Sequence, residues 1–198
     1  MSEARLSRRD LLARLAAGMS LVTAADAQHA HEALAQQNAT RKGPYQPKAL
    51  TAHEYATLQK LSDLILPADE RSAGALAAGA AEFIDFLCAA NGEMRDLFTG
   101  GLMWLDEAMA HGHDGANFLE STAAQQTAML DRIAYRRNAS PELDPGIEFF
   151  AFCRRLVADA YYTTPTGFQE LGYMGNGAMA QFRVPAECLE YALKRSGL

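Results

Sequence analysis

The sequence has few cysteines, few β-branched residues and no long apolar segment. Its 198 residues include three cysteines, and none of them lies in a C-x-x-C or C-x-x-C-H pattern. The chain therefore lacks the signals of a zinc ribbon, a thioredoxin-like redox site and an attached c-type haem. No run of 18 apolar residues is present, which predicts no membrane-spanning helix. Because apolar and polar residues do not alternate over any convincing run, a β-sheet is not expected.

Positive charge is also scarce. The chain holds 18 lysine and arginine residues against 24 acidic ones, which gives a formal net charge of −6. Such a balance repels phosphate backbones and predicts no nucleic-acid partner. It also argues against attachment to anionic lipid by charge alone.

Residues 1–27 have the pattern of an export signal. Arg8 and Arg9 precede a weakly apolar stretch that Arg14 interrupts. The stretch ends in Ala25-Asp26-Ala27, which fits an A-x-A-type cleavage site. We predict a twin-arginine signal peptide that the twin-arginine translocase recognises, and therefore a periplasmic destination. An ordinary amphipathic N-terminal helix is the alternative.

The rest of the chain divides into an arm and one domain. Residues 28–49 are polar and glutamine-rich, with Gly43-Pro44 and Pro47, and are predicted to form a flexible polar arm. The domain covers residues 50–198. Its first helix is predicted at Thr51, where Thr51 and Glu54 fit a capping box.

Apolar residues at helical spacing predict further helices, near positions 83–91, 93–110, 122–135 and 149–161. Gly100-Gly101 predicts a kink or break in the second of these. Pro185 opens a short last helix. The predicted fold is all-α, an irregular bundle of five to six helices with a long aromatic and glycine-rich loop before the last one.

That loop of about 20 residues is the most unusual segment, because loops of this length in compact domains are usually functional. Tyrosine and methionine are favoured in contacts with other proteins. We predict that the segment forms a partner interface; the alternative is that it folds back onto its own bundle. The candidate interface residues are Tyr161, Tyr162, Phe168, Tyr173, Met174 and Asn176.

One cluster has the side-chain types that bind metals. His111, His113 and Asp114 lie among glycines where a helix is expected to end. Histidine interacts favourably with a helix C-terminus, and glycine adopts the left-handed conformation found there. We therefore predict a helix end and no metal site. The alternative function is a free-standing periplasmic metal-binding protein or enzyme that uses these three residues.

The three cysteines are Cys88, Cys153 and Cys188. An odd number in an oxidising compartment leaves at least one thiol free or bridged to another chain. The simpler interpretation is that all three are small buried apolar residues. A disulfide to a partner subunit is the alternative, with Cys153 as its candidate residue.

Four short motifs follow one another along the chain. They are Leu50-Thr51 with Glu54 and Leu58, Leu64-Ile65-Leu66-Pro67-Ala68-Asp69, Gly74-Ala75 through Glu82-Phe83-Ile84-Asp85, and Gly172-Tyr173 with Gly175-Asn176. With the leader, they resemble the gluconate 2-dehydrogenase subunit 3 family over about residues 7–182. Its members are small subunits of membrane-associated flavin-dependent sugar and sugar-acid dehydrogenases. Leu11, where twin-arginine leaders often have phenylalanine, departs mildly from the pattern.

The resemblance implies a non-catalytic subunit, without catalytic or cofactor-binding residues of its own. Such subunits accompany a large FAD-dependent dehydrogenase of the glucose–methanol–choline type, supply the export signal it lacks and are needed for its maturation. A cytochrome c subunit often completes the complex. FAD, and an iron–sulfur cluster or haem, are accordingly expected in partner subunits, and the complex is expected at the inner membrane.

Overall fold

The computed structural model describes residues 24–41, 43–113, 115–172 and 184–196. Within these ranges the secondary structure comprises nine α-helices and one short 3₁₀ helix, without a strand. The predicted all-α fold is therefore confirmed, although the described residues hold more helices than expected. None of the described helices is both long and apolar enough to cross a membrane.

The described helices are named α1 to α9 in chain order. The first five are α1 Ala24–Thr40, α2 Ala52–Ile65, α3 Gly74–Ala77, α4 Ala80–Ala90 and α5 Gly92–Gly112. After them come α6 Ala123–Ile133, the 3₁₀ helix Arg136–Asn138, α7 Asp144–Tyr162, α8 Pro165–Glu170 and α9 Ala186–Ser196. Helices α2, α4, α5 and α7 all pack against one another and enclose the core.

The core forms where the apolar faces of these four helices meet. In α7, apolar residues recur every three or four positions and therefore fall on one side of the helix. The ring of Phe149 meets Phe98 of α5 nearly edge-on, with centroids 5.9 Å apart. Phe152 contacts the same ring at 5.9 Å. Such aromatic pairs contribute about 0.5–1.5 kcal/mol beyond the area they bury.

Two helices begin with capping boxes, and the first of them is the one that the sequence predicts at Thr51. The Thr51 hydroxyl accepts the Glu54 amide, and the Glu54 carboxylate accepts the Thr51 amide at 2.7 Å. Thr122 and Gln125 repeat the arrangement at the start of α6. Each box satisfies two amides that the helix itself cannot pair, which fixes where the helix starts.

The predicted kink or break at Gly100-Gly101 does not interrupt α5, which is helical through both glycines. A Cβ atom at Gly101 would lie 2.0 Å from the Phe149 ring, and one at Gly146 would lie 2.0 Å from the Trp104 ring. Each glycine therefore receives an aromatic ring of the facing helix. The loss of helix propensity at Gly101, about 1 kcal/mol, is offset by close packing that a larger residue would prevent.

The segment predicted as a flexible arm, residues 28–49, contains most of α1. Ala30 and Leu34, four positions apart, are buried, and α1 packs against α4 and α7. The sequence does not reveal this docking, because two small apolar contacts in a polar helix give little periodicity. The arm prediction is therefore corrected for this part: it is a helix attached to the bundle.

The predicted export signal falls largely outside the described residues. This applies to Arg8 and Arg9 and to the apolar stretch that follows them. The predicted cleavage site at Ala25 and Ala27 lies in the first turns of α1, where the backbone is helical. The signal peptide itself stays a prediction.

A buried carboxylate holds the loop before α2 against α4. Asp85 is fully buried, and its Oδ1 accepts the amides of Ala49 and Leu50 at 3.1 and 2.9 Å. Its Oδ2 accepts the Lys48 amide at 2.8 Å and the Tyr45 hydroxyl at 2.6 Å. Four donors thus share one carboxylate, and burial of the Tyr45 hydroxyl beside it raises the pKa of that phenol.

Replacement of Asp85 by asparagine should therefore destabilise the whole domain. The side chain keeps its size, but its NH₂ group faces donors, so about two of the four lose their acceptor. We expect the free energy of unfolding to fall by about 2–5 kcal/mol, measured by urea denaturation followed by circular dichroism. Asp131→Asn, at an exposed position of α6, is the matched control and should change stability by less than about 0.5 kcal/mol. Equal stability of the two variants would contradict this role.

Candidate functional site

The residues predicted as a partner interface do not share one surface. Tyr161, in the last turn of α7, is fully buried in the core. Tyr162 is half-buried and meets the Tyr161 ring edge-on at 5.0 Å. Tyr161 is thus corrected from an interface residue to a core residue. Aromatic composition alone does not separate the two cases, because a tyrosine suits both when its hydroxyl finds a partner.

The Tyr161 hydroxyl connects three segments of the chain. It donates to the Glu170 carboxylate of α8 at 2.6 Å. Because the Tyr161 hydroxyl has a single proton and donates it to Glu170, the Ser72 hydroxyl donates to the Tyr161 oxygen, also at 2.6 Å. Ser72 in turn accepts the Gly74 amide at 3.0 Å. The hydrogen bond to Glu170 raises the pKa of Tyr161, because a deprotonated phenol could not donate to a carboxylate.

The predicted loop after α7 contains a short helix instead. Thr164 caps α8 by accepting the Gly167 amide at 3.1 Å. A Cβ atom at Gly167 would lie 2.4 Å from the Tyr161 carbonyl oxygen, so only glycine lets α8 approach α7 this closely. The part of the segment that is described therefore folds back onto the bundle, which was the alternative left open by the sequence.

Beyond this point the described residues expose apolar side chains. Phe168 is 40% exposed and Leu171, just after α8, is 60% exposed. Tyr173, Met174 and Asn176, the other predicted interface residues, lie outside the described residues. The predicted interface is therefore represented by Phe168 and Tyr162 in the described part of the chain.

Helix α9 exposes apolar side chains that the sequence analysis did not single out. All of its residues are exposed, including Leu189, Tyr191 and Leu193 at 49%, 63% and 50%. Leu189 and Leu193 lie four positions apart and share one face of the helix. This spacing was visible in the sequence, but only the structure shows that the face is not covered by the described part of the bundle.

The two described histidines of the cluster, His111 and His113, bond to different partners. His111 donates from Nδ1 to the Glu107 carbonyl at 2.7 Å, within its own helix. His113 Nδ1 instead accepts the Gln125 amide group of α6 at 3.1 Å. Asp114 lies outside the described residues, and no group of three potential metal ligands occurs among those described. Gly115, with φ +87°, donates its amide to the Ala110 carbonyl, as at a helix end.

The cysteines differ in exposure. Cys88 and Cys153 are buried and Cys188 of α9 is exposed. Burial raises the pKa of Cys153 to about 12, because a thiolate is poorly solvated inside the core. The prediction that Cys153 forms a disulfide to another subunit is therefore corrected, because its thiol is buried in the core. The prediction that all three thiols are buried fails only at Cys188.

The chain of hydrogen bonds through Tyr161 predicts a local effect of Tyr161→Phe. Removing the hydroxyl breaks the bonds to Ser72 and Glu170 but keeps the buried ring. We expect stability to fall by about 1–3 kcal/mol and amide exchange in α8 to accelerate. Tyr162→Phe is the matched control, since its hydroxyl makes no hydrogen bond in the described structure. Identical exchange of α8 in both variants would refute the role given to Tyr161.

Comparison with known proteins assigns the chain to a family. A search of curated proteins and a search of solved structures returned no match. A family model described as "Gluconate 2-dehydrogenase subunit 3" matches residues 52–179, which is the range from α2 to the segment after α8. Three of the motif residues act structurally: Glu54 caps α2, Gly74 approaches the Ala68 amide, and Asp85 holds the loop before α2. The match covers well over half of the chain, which therefore belongs to the gluconate 2-dehydrogenase subunit 3 family.

Proposed function

We propose that this chain is a non-catalytic accessory subunit of a flavin-dependent dehydrogenase. In this proposal it binds an FAD-dependent catalytic subunit of the glucose–methanol–choline type that oxidises a sugar or sugar acid. It assists the maturation of that subunit and carries it through the twin-arginine route. FAD belongs to the catalytic subunit, and a haem of a cytochrome c subunit, or an iron–sulfur cluster, to other partners.

Family membership supports the accessory role. The family is defined as a numbered subunit of a dehydrogenase, so its members associate with other subunits of that enzyme. The described residues of this chain are used to hold the fold: the buried carboxylate, the buried tyrosine and the capping residues each serve a loop or a helix end. This arrangement suits a protein that contributes surface to a complex.

The apolar face of α9 is the observation that carries the proposal. An isolated helix of 11 residues is marginal in water, and Leu189 and Leu193 leave about half of their surface exposed. Glu187 and Lys194 lie on the opposite side of the helix. A helix with one apolar face and one charged face fits a groove on another protein. The occupant we propose is the catalytic subunit, because subunits of that dehydrogenase are the partners that the family name implies.

The location in the proposal follows from the leader. Arg8 and Arg9 would direct the chain, with its folded partner, to the twin-arginine translocase. The complex would then lie in the periplasm, at the inner membrane, held there through its other subunits.

The α9 interface predicts that Leu189→Ser combined with Leu193→Ser weakens binding of the catalytic subunit. Burying two leucines at an interface should contribute at least about 2 kcal/mol, which corresponds to about thirtyfold in Kd. The measurement is the Kd between the purified subunits, with circular dichroism to show that the variant stays helical. Glu187→Ser combined with Lys194→Ser, on the charged side, is the matched control and should leave the Kd within about threefold. Equal Kd values for all three proteins would exclude α9 from the interface.

The escort role predicts the effect of replacing Arg8 and Arg9 by lysine. The catalytic subunit, which has no signal of its own in this proposal, should then stay in the cytoplasm. The measurement is dye-linked dehydrogenase activity in the periplasmic and cytoplasmic fractions of cells that express both subunits. Arg5→Lys, outside the arginine pair, is the control and should leave export intact. Undiminished periplasmic activity in the double variant would defeat the escort role.

A further inference from the structure

We propose that α1 is a hinged flap that leaves the bundle when His31 becomes protonated. This inference does not depend on the identity of the partner subunit. It concerns the segment that joins the family domain to the predicted leader, because α1 lies before the matched residues 52–179.

The flap is held by few contacts. Ala30 and Leu34 are the only buried side chains among those described for α1. Between them, the half-buried ring of His31 stacks on Phe83 of α4, with centroids 4.3 Å apart and planes at 22°. Its Nε2 lies 2.7 Å from the Thr163 hydroxyl at the end of α7. His31 thus contacts both helices beneath α1, through its ring on α4 and its Nε2 at the end of α7.

A hinge lies directly after the helix. Gly43 has φ +106°, and a Cβ atom placed there would meet no other atom within 4 Å. The chain is fixed again at Tyr45, whose hydroxyl donates to Asp85. Release of α1 therefore leaves the loop before α2 attached to the core. Arg41 lies on the α1 side of Gly43 and pairs with Glu82 of α4 at 3.7 Å, so this contact breaks when α1 leaves.

The hydrogen bonds fix the proton positions of the docked ring. Thr163 uses its one hydroxyl proton on the Asp159 carbonyl. Nε2 of His31 therefore carries a hydrogen and donates it to Thr163. An added proton goes to Nδ1 and places a full charge on the half-buried His31 ring, against the face of Phe83. This charge loses its hydration when α1 docks, whereas the ring of the released helix stays hydrated.

No acidic side chain compensates this charge in the described structure. On α4, Glu82 pairs with Arg41, and Asp85 accepts the donors of the loop. On α7, Asp159 lies 3.9 Å from Arg155. Within α1, His29 and Glu32 are exposed. His31 forms no ion pair with any of these groups among the described residues.

The direction of the pH effect follows. Burial lowers the pKa of His31, and this effect exceeds the raising effect of the Ala160 backbone. The ring of the released helix has a pKa of about 6.5. The released state therefore binds more protons than the docked state as the pH falls. Docking is therefore complete above that pH and weakens below it. At pH 5.5 the docking equilibrium falls by up to about tenfold relative to pH 7.5.

The test is amide hydrogen exchange of the full chain at pH 7.5 and pH 5.5, with protection factors corrected for the intrinsic exchange rate. We expect protection at positions 29–36 to fall at the lower pH, while protection within α7 stays constant. The histidine ring of residue 31, followed by nuclear magnetic resonance, should titrate below about 6.5, the usual pKa of an exposed histidine.

Three variants complete the experiment. His31→Phe keeps the stacked ring and His31→Gln keeps a donor to Thr163, and neither side chain can titrate. Both should show protection of α1 that does not change with pH, whereas His29→Asn should behave like the natural chain. The proposal is overturned if the natural chain shows equal protection at both pH values. It is also overturned if the pH effect persists in both His31 variants or disappears in His29→Asn.

Discussion

The capture of four donors by the Asp85 carboxylate is the interaction on which the rest of the architecture depends. It fixes residues 45–50 against α4, and these residues lead directly into the capping box of α2. A polar loop could not otherwise lie on a buried surface, because its amides would lose water without gaining an acceptor. The same attachment separates α1, which is held by weak contacts, from the core that begins at α2.

Close approach between helices is the second constraint. The Phe149 ring of α7 packs on Gly101 of α5, and the Trp104 ring of α5 packs on Gly146 of α7. Because neither glycine has a side chain, α5 and α7 can pack this closely. Gly167 plays a similar part between α8 and the end of α7. With the hydroxyl of Tyr161 bonded to Ser72 and Glu170, the end of α7 becomes a fixed base. The exposed residues of α8 and of the stretch just after it extend from that base.

This organisation bears on the proposed role. A subunit that contributes a surface needs a rigid core and exposed apolar residues at its edge, and both features are present in the described residues. The long aromatic segment contributes residues both to the core and to the exposed apolar edge. Tyr161 stabilises the core, whereas Phe168 and Leu171 remain exposed. The proposed flap α1 meets the same end of α7, where the His31 ring contacts the Thr163 hydroxyl.

The sequence by itself determined the all-α class, the starts of α2 and α6 and the family. These follow from local rules: helical periodicity, a hydroxyl paired with a side chain three positions on, and short motifs in order. Only the tertiary structure decided which aromatic residues are buried, that α5 continues through Gly100-Gly101, that α1 docks on the bundle, and that Cys188 is the exposed thiol. Each of these depends on side chains that are distant in sequence, such as Phe149 for Gly101 and Ser72 for Tyr161. No local pattern encodes such contacts, because their energy comes from the fit between elements that meet only after folding.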